Sequence, residues 1–474
     1  MDELDNLLST LSTFRQARTV RRIRQLVYGM LTCLGRHTVT GSLTAAGHQF
    51  MDWSAAYRLF SLNRIGIEHL FSAARKRMHQ ELGEHRLDIV AHMDDTILKK
   101  KGKKIPGTAW RRDPLGPPFH TNFIWGQRFL QISMALPEHM GAACARAIPI
   151  DFFHCPTVQR PSKNADAQCW KEYRAQKRLI NLSQQGKQRI IKLRQNLNQE
   201  GMADKELYLS VDGSYTNKNV LKELPPKVTL IGRIRKDSKL YTLPEQQPQT
   251  GRKKVYGSPL PTPEQIRQSD QYPWQQVTAW AAGKTHVFDV KIVQEIRSRT
   301  AGQQHNLQLM VIRPLAYRLT KESRILYRQP AYLICTDSTL PADKMLQYYL
   351  WRWEIEVNLR DEKTILGCGE AQVRNPQSAE TAPSFIVAIY SLLLLASHRY
   401  MKNDSTLPMP RPKWYPQKKS PRLSANDMIN ILRTQLWGKA LGMSFSHFVK
   451  QQRQLQSHKN VAEPLTSALF YSRN

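Results

Sequence analysis

Tyr349-Leu350-Trp351-Arg352-Trp353-Glu354-Ile355-Glu356-Val357-Asn358-Leu359-Arg360-Asp361-Glu362-Lys363 is the most informative stretch of this 474-residue chain. Wound as one α-helix at about 100° per residue, it gathers Tyr349, Arg352, Glu356 and Lys363 into an arc of about 60°. Leu346, Leu350, Trp353 and Val357 fall in the neighbouring arc, at about 40–100°, as an apolar stripe that would seat the helix on a core. An ordinary amphipathic helix laced with i,i+4 ion pairs explains the charges. It does not explain why a phenol, a guanidinium, a carboxylate and an amine align over about four turns. The reading predicts a groove into which all four point.

Upstream, two apolar runs each end in aspartate. Leu87 to Met93 reads as a strand stopping at Asp94-Asp95-Thr96, and Leu207 to Val211 as a strand stopping at Asp212. A carboxylate at a strand end is held rigid by the sheet and faces a cleft, which a metal site needs. Taken singly, either aspartate is commonplace, and the helix gives them weight. Alternation sends Asp94 and Asp95 to opposite faces, so one of the two reaches the cleft.

Around these landmarks the chain divides by composition. Residues 1–85 contain no proline and carry apolar residues at helical spacing (Leu26, Met30, Leu31, Leu34), with Arg15, Arg18, Arg22 and Arg24 giving the first helix a basic side. They read as a helical region that binds DNA or presents a solvated charged face. Residues 86–224 read as mixed: an antiparallel meander with strands at 122–125 and 129–135, a lysine run at 99–104, and a basic helical stretch at 165–200. Residues 225–335 are proline-rich and β-prone, as in Val228 to Ile234, His286 to Val293, Leu307 to Ile312 and Ala331 to Cys335, and read as a β-rich insertion. Residues 336–400 are helical. Residues 401–474 begin with a Pro- and Lys-rich linker, after which Ser424 caps a last helix with Asp427 at its third position; this end is a candidate for dimerisation or DNA contact.

Lys and Arg outnumber Asp and Glu by 70 to 38, a net charge of +32. A surplus of that size repels itself unless a polyanion neutralises it, and nucleic acid is the usual one. Charge alone does not separate an enzyme from a packaging or ribosome-associated protein. The six cysteines form no C-x-x-C pair, which suits a reducing cytoplasm and argues against zinc fingers. His154-Cys155 reads as a structural pair. The acidic start Met1-Asp2-Glu3 lacks a signal peptide's apolar core. The most apolar run, Phe385 to Ala396, is shorter than the roughly 20 residues that cross a bilayer and predicts a buried helix.

The spacing Tyr349, Arg352, Glu356, Lys363, with Trp353 and Ile355 in context, resembles the Tyr-Arg-Glu-Lys signature of one branch of the DDE insertion-sequence transposases, the insertion-sequence-four superfamily. Met93-Asp94-Asp95-Thr96 followed by Lys100-Lys101-Gly102 resembles a first-aspartate block written Asp-Asp-Thr-Gly-Phe-Pro-Lys-Lys-Gly, although Ile97-Leu98-Lys99 stands where Gly-Phe-Pro is usual. Val211-Asp212-Gly213-Ser214-Tyr215 is similar to the second-aspartate block. The resemblance spans roughly residues 85–400 and favours Asp94 over Asp95. It implies an α/β fold with an RNase H-like catalytic core, a β-rich insertion and helical N- and C-terminal regions. It also implies Asp94, Asp212 and Glu356 as catalytic metal ligands for two Mg2+ ions, with Mn2+ as a substitute. Tyr349, Arg352, Lys363, Lys100 and Lys101 are then DNA contacts. The partners it implies are double-stranded transposon ends and target DNA, bound by a dimer in the synaptic complex of a cytoplasmic, nucleoid-associated bacterial protein with no membrane association. Trp125, Trp274 and Trp280 are candidates to stack on a flipped base or to pack in the core. A decayed copy that binds DNA without cutting it is the main alternative. A glycosidase-type carboxylate pair fits poorly with the charge and the aligned cations.

Overall fold

The structure, a computed structural model, describes residues 1–84, 87–113, 116–117, 119–138, 141–245, 250–299, 305–318, 322–403 and 422–442. The N-terminal region is helical: α1 (Asp2–Ser9), a 3-10 turn (Thr10–Thr13), α2 (Ala17–Thr32), α3 (Val39–Ala45), α4 (Ser54–Ser61) and α5 (Ile67–Glu84). α2 buries Val20, Ile23, Leu26, Val27, Met30 and Leu31. Leu34, expected on that stripe, lies beyond the helix end and is exposed.

The middle of the chain supplies β1 (Ile89–Lys99), β2 (Ala109–Arg112), β3 (Phe123–Pro137), β4 (Ala145–His154), α6 (Ala167–Leu179), α7 (Leu182–Gln199), β5 (Leu207–Val211), α8 (Lys218–Leu221) and β6 (Val228–Arg233). Then come β7 (Leu240–Thr242), β8 (Pro259–Leu260), α9 (Pro263–Gln268), β9 (Gln275–Ala281), β10 (Lys284–Ser298), β11 (Leu307–Ile312), β12 (Ala316–Tyr317), β13 (Leu326–Tyr327) and β14 (Ala331–Cys335). The last helices are α10 (Ala342–Trp351), α11 (Trp353–Thr364), α12 (Pro376–Asn403) and α13 (Ala425–Leu441).

Twelve strands form one mixed sheet in the order β2-β3-β1-β5-β6-β14-β11-β10-β7-β8, with β4 also on β3 and β9 on β10. β1, β3 and β4 make the expected antiparallel meander. β5 then runs parallel to β1, and β6 parallel to β5. The proline-rich region does not stand apart from this sheet, because β6 pairs antiparallel with β14 and carries it onward. Two details depart from the sequence reading. The separate strands at 122–125 and 129–135 are one strand, β3. β1 continues through Asp94 to Lys99, because β3 keeps pairing with it as far as Lys99↔Gly126 after its parallel partner β5 has ended.

α12 is the central core helix. Over Pro376–Lys402 it is long and apolar enough to cross a membrane, but 94% of its most apolar window is buried inside the protein. Helices α1, α4, α5 and α13 pack on it, and one apolar core joins them to β1, β3, β4 and β5. Buried Arg75 locks α5 in place, with Nε and Nη2 on Glu200 at 2.8 and 2.7 Å, Nη2 also on Glu68 at 2.6 Å, and Nη1 on the Ile150 carbonyl at 3.1 Å. Ser424 and Asp427 form the expected capping box of α13. Most of the expected linker, 404–421, and the chain beyond 442 lie outside the described residues.

Candidate active site

The parallel pair β1/β5 ends in register at Met93↔Val211, so Asp94 and Asp212 follow on neighbouring strands. The turn after β5 fixes Asp212. Tyr215 N–H donates to its carbonyl at 3.0 Å, as does the Thr216 hydroxyl at 3.3 Å, and the Ser214 hydroxyl donates to Oδ2 at 3.4 Å. Asp94 and Asp95 do part to opposite faces. Asp95 is engaged behind the sheet, with Arg128 Nε at 3.2 Å and the Tyr215 hydroxyl donating at 3.1 Å. Asp94 turns to the other face and accepts from Arg352 Nη1 at 3.0 Å.

The expected single helix is two, broken at Arg352. There the backbone tightens to i→i+3 bonds, with Arg352 N donating to the Tyr349 carbonyl and Ile355 N to the Arg352 carbonyl, both at 3.1 Å. The alignment of the four signature residues survives the break. Arg352 lies over the Tyr349 ring, 5.8 Å from its centroid, and its Nη2 donates to Glu356 Oε1 at 3.0 Å. Lys363 Nζ donates to the Thr96 hydroxyl at 2.6 Å, two residues along β1 from Asp94.

The apolar stripe holds on α10, where Leu346 is buried and Leu350 packs against the core, and fails on α11. Trp353 is 58% exposed, and α11 buries Glu354, Ile355, Asn358, Leu359, Asp361 and Glu362. That mostly polar face is satisfied by distant partners. Arg422 grips Glu354 at 3.0 and 2.7 Å, Asn358 donates to the Ala147 carbonyl at 2.9 Å, and Gln131 donates to Glu362 at 2.9 Å. The positions of Arg352 and Glu356 are therefore set by polar bonds to β3, β4 and residue 422.

Burial, with smaller contributions from the charges of Asp95 and Asp212, outweighs Arg352 and pushes the Asp94 carboxyl up to about 6. Burial works against the Arg352 guanidinium too, but Tyr349, Asp94, Glu356 and Asp212 together hold its pKa above the ordinary value. Burial lowers Lys363. Two neighbours were not anticipated. His92, on the Asp94 face, is fully buried without a partner for either ring nitrogen and is pushed down to about 3 by burial and by Arg352. Arg233 ends β6 beside β5, and its charge and that of Asp212 both act on Tyr349. The one sequence signal for Arg233 was its place at the end of an apolar strand.

The bonds of the other predicted contacts go elsewhere than to these carboxylates. Lys100 is 6% exposed, and its amine donates to the Gly369 and Ala371 carbonyls at 2.8 and 2.7 Å, which makes it a buried clamp rather than a surface cation. Lys101 is exposed. Trp125 and Trp280 are half-buried and donate to the Gly102 and Gly141 carbonyls, and Trp274 packs under Lys291 and Arg313. All six cysteines are free thiols, and His154 bonds Glu380.

Among the described residues, no three His, Cys, Asp or Glu side chains stand together as a ready metal cage. The donor set nonetheless fits a hard divalent cation, being all carboxylate oxygen. Arg352 already bridges two of those carboxylates as a cation. Residues 7–299 match the family described as DDE superfamily endonuclease. The chain belongs to that family. A comparison with curated proteins gave no match. Membership of the DDE superfamily makes the chain a transposase-like nuclease, implies DNA as its substrate, and places it among enzymes that generally use divalent metals. The matched span includes Asp94 and Asp212 and stops before Glu356, whose candidacy rests on its bond to Arg352.

Proposed function

We propose that this DDE nuclease is a transposase of the insertion-sequence-four superfamily, Tyr-Arg-Glu-Lys branch, that cuts transposon ends and joins them to target DNA as a synaptic dimer. The observation that carries this reading is that Asp94 and Asp212 follow the paired ends of β1 and β5 while one guanidinium, Arg352, bonds both Asp94 and Glu356. The order β4-β3-β1-β5-β6, an antiparallel meander followed by two parallel strands, supports an RNase H-like core that takes in β6 (Val228–Arg233) and so runs past the expected first boundary at 224. Residues 1–85, the part of 225–335 that follows β6, and 401–474 would then be the DNA-binding region, the insertion and the C-terminal extension.

Asp94, Asp212 and Glu356 would hold the divalent ions. Bound there, such ions would supply Lewis-acid activation of the attacking oxygen and charge stabilisation of the leaving one. The chain's own groups do the rest. Arg352 leaves its carboxylates and grips phosphate in bidentate fashion, while Lys363 adds a point charge. Tyr349, packed under Arg352, orients the guanidinium. A water oxygen attacks the scissile phosphorus in line, and the bond to the 3′ oxygen breaks to leave a 3′-hydroxyl. In joining, that hydroxyl attacks a target phosphodiester and displaces another 3′ oxygen.

The test uses purified protein, Mg2+ and a duplex bearing the inverted repeats that flank the gene. Asp94→Ala, Asp212→Ala and Glu356→Ala should each lower cleavage by at least about a thousandfold while binding the duplex within about threefold of the parent. Normal cleavage by Glu356→Ala would overturn the assignment. Duplex binding by the parent chain with no Mg2+-dependent cutting would leave it a DNA-binding relic.

A further inference from the structure

α6 is a 13-residue helix with no buried residue. A helix of about that length is marginal in water without a packed face. What holds α6 is local: an Asp166 cap at 2.6 Å from Cys169 N, Arg160 over Trp170 at 5.4 Å, and Lys177 over Tyr173 at 5.7 Å. Its outward charge is one-sided, with Lys171, Arg174, Lys177 and Arg178 against Glu172 alone. Another copy of a chain with net charge +32 would be repelled from it.

Behind α6 lies a cavity of about 200 Å3, walled by Arg111 and Arg128 from the sheet and by Tyr173, Lys177 and Asn181. Arg128 shares the Asp95 face of β1, opposite Asp94, and its Nε is 3.2 Å from Asp95. Arg111 is only 8% exposed, and its Nη2 has no hydrogen-bond partner; Nε makes one long bond, 3.5 Å, to the Gly126 carbonyl. Burial and the charge of Arg128 push the Arg111 guanidinium down to about 10. The Asp95 charge offsets this only in part, its ion pair being with Arg128, so the buried Arg111 guanidinium is under-compensated. The cavity has room for a phosphate and part of a sugar.

We propose that α6 and the Arg111–Arg128 cavity form a second DNA-strand site, on the opposite side of β1 from the catalytic carboxylates, in which one backbone phosphate enters the cavity while α6 lies along the strand. The site rests on the reading that the chain handles DNA, but not on the carboxylate assignment. Binding of a fluorescent duplex is measured from about 50 to 200 mM salt for the parent, for K171A/R174A/R178A and for Arg111→Gln. Each lost phosphate contact lowers the slope of log K against log salt by about one. The triple variant should lose about 2–3 in slope with an unchanged melting temperature, since it touches no buried group. Arg111→Gln should lose about one. In phosphate-free buffer it should also melt higher than the parent, whereas a structural ion-pair arginine would melt lower. Inorganic phosphate should raise the melting temperature of the parent more than that of Arg111→Gln. Parental slopes in both variants would overturn the proposal. Phosphate protection without a slope change in Arg111→Gln would mean a free-anion site and would overturn it equally. Cleavage is scored on the same samples: a parent that binds with these slopes but never cuts refutes the proposed function and leaves this site standing.

Discussion

Replacing Asp94 with asparagine should make the metal-free protein more stable while abolishing its cleavage activity. The carboxyl is pushed from 3.8 up to about 6, chiefly by burial, although Arg352 opposes this. A tenfold change in proton affinity is worth about 1.4 kcal/mol, so an ionised Asp94 costs the fold about 3 kcal/mol at pH 7.5. The side chain is 20% exposed, so solvent screening removes little of this. Asparagine keeps the shape and an oxygen for Arg352 Nη1 to donate to. For a chain of this length, unfolding as one unit, 3 kcal/mol corresponds to a rise of about 3 °C in melting temperature. The sign of the pH dependence follows from the raised pKa. Below about pH 4 both folded and unfolded chains carry the proton, and the parent and Asp94→Asn should be equally stable. Between about pH 4 and 6 only the folded chain still holds it, so the parent loses stability relative to the variant as pH rises, and the gap is complete above about pH 7. Urea unfolding followed by tryptophan fluorescence in EDTA, from pH 4 to 8, measures that gap. Added Mg2+ should stabilise the parent and leave the variant where it was. A variant no more stable than the parent at pH 7.5, or a gap independent of pH, would refute the reasoning.

Two further substitutions separate structural from functional roles. Lys100→Met removes the buried amine that donates to the Gly369 and Ala371 carbonyls; it should destabilise the fold by roughly 1–3 kcal/mol in urea unfolding, with no change in the salt slope of DNA binding. In Gly232→Ala the new Cβ would sit 2.2 Å from Thr216 Oγ1, which donates to the Asp212 carbonyl, and 2.9 Å from Cγ2 of Val211, which precedes Asp212; kcat should fall about a hundredfold with the fold intact, whereas Gly213→Ala, whose Cβ meets nothing closer than 3.5 Å, should leave kcat near the parent value.

How much of this was legible depended on how local each determinant is. β5 and β14 coincide with their predicted bounds because each is a short apolar run closed by polar residues. The parting of Asp94 from Asp95 followed from strand alternation alone. β1 looked finished at Asp94 because the acidic pair reads as a strand end, and only the pairing partner β3, some 35 residues on, carries it further. The buried face of α11 was illegible for the same reason. Hydrophobic periodicity assumes that charge means solvent, but Glu354 is buried on Arg422 and Glu362 on Gln131, partners that no local window contains. Lys100 was hidden inside a lysine run, and the carbonyls that bury it come from residues 369 and 371. The cavity behind α6 left no sequence signal beyond basic charge.

The Arg352 bridge has a consequence for how the proposed enzyme engages its substrates. One guanidinium neutralises both Asp94 and Glu356, at 3.0 Å each. A divalent cation drawn to those carboxylates competes with Arg352 for the same oxygens. Once displaced, the guanidinium remains partly buried over Tyr349 without its counter-charges, a state that costs free energy until an anion arrives. A DNA phosphate is such an anion. Cation and DNA should therefore each tighten the binding of the other by the same factor, as linkage requires. Substituting Arg352 with methionine should erase that mutual effect, because the cation then displaces nothing that the phosphate must satisfy.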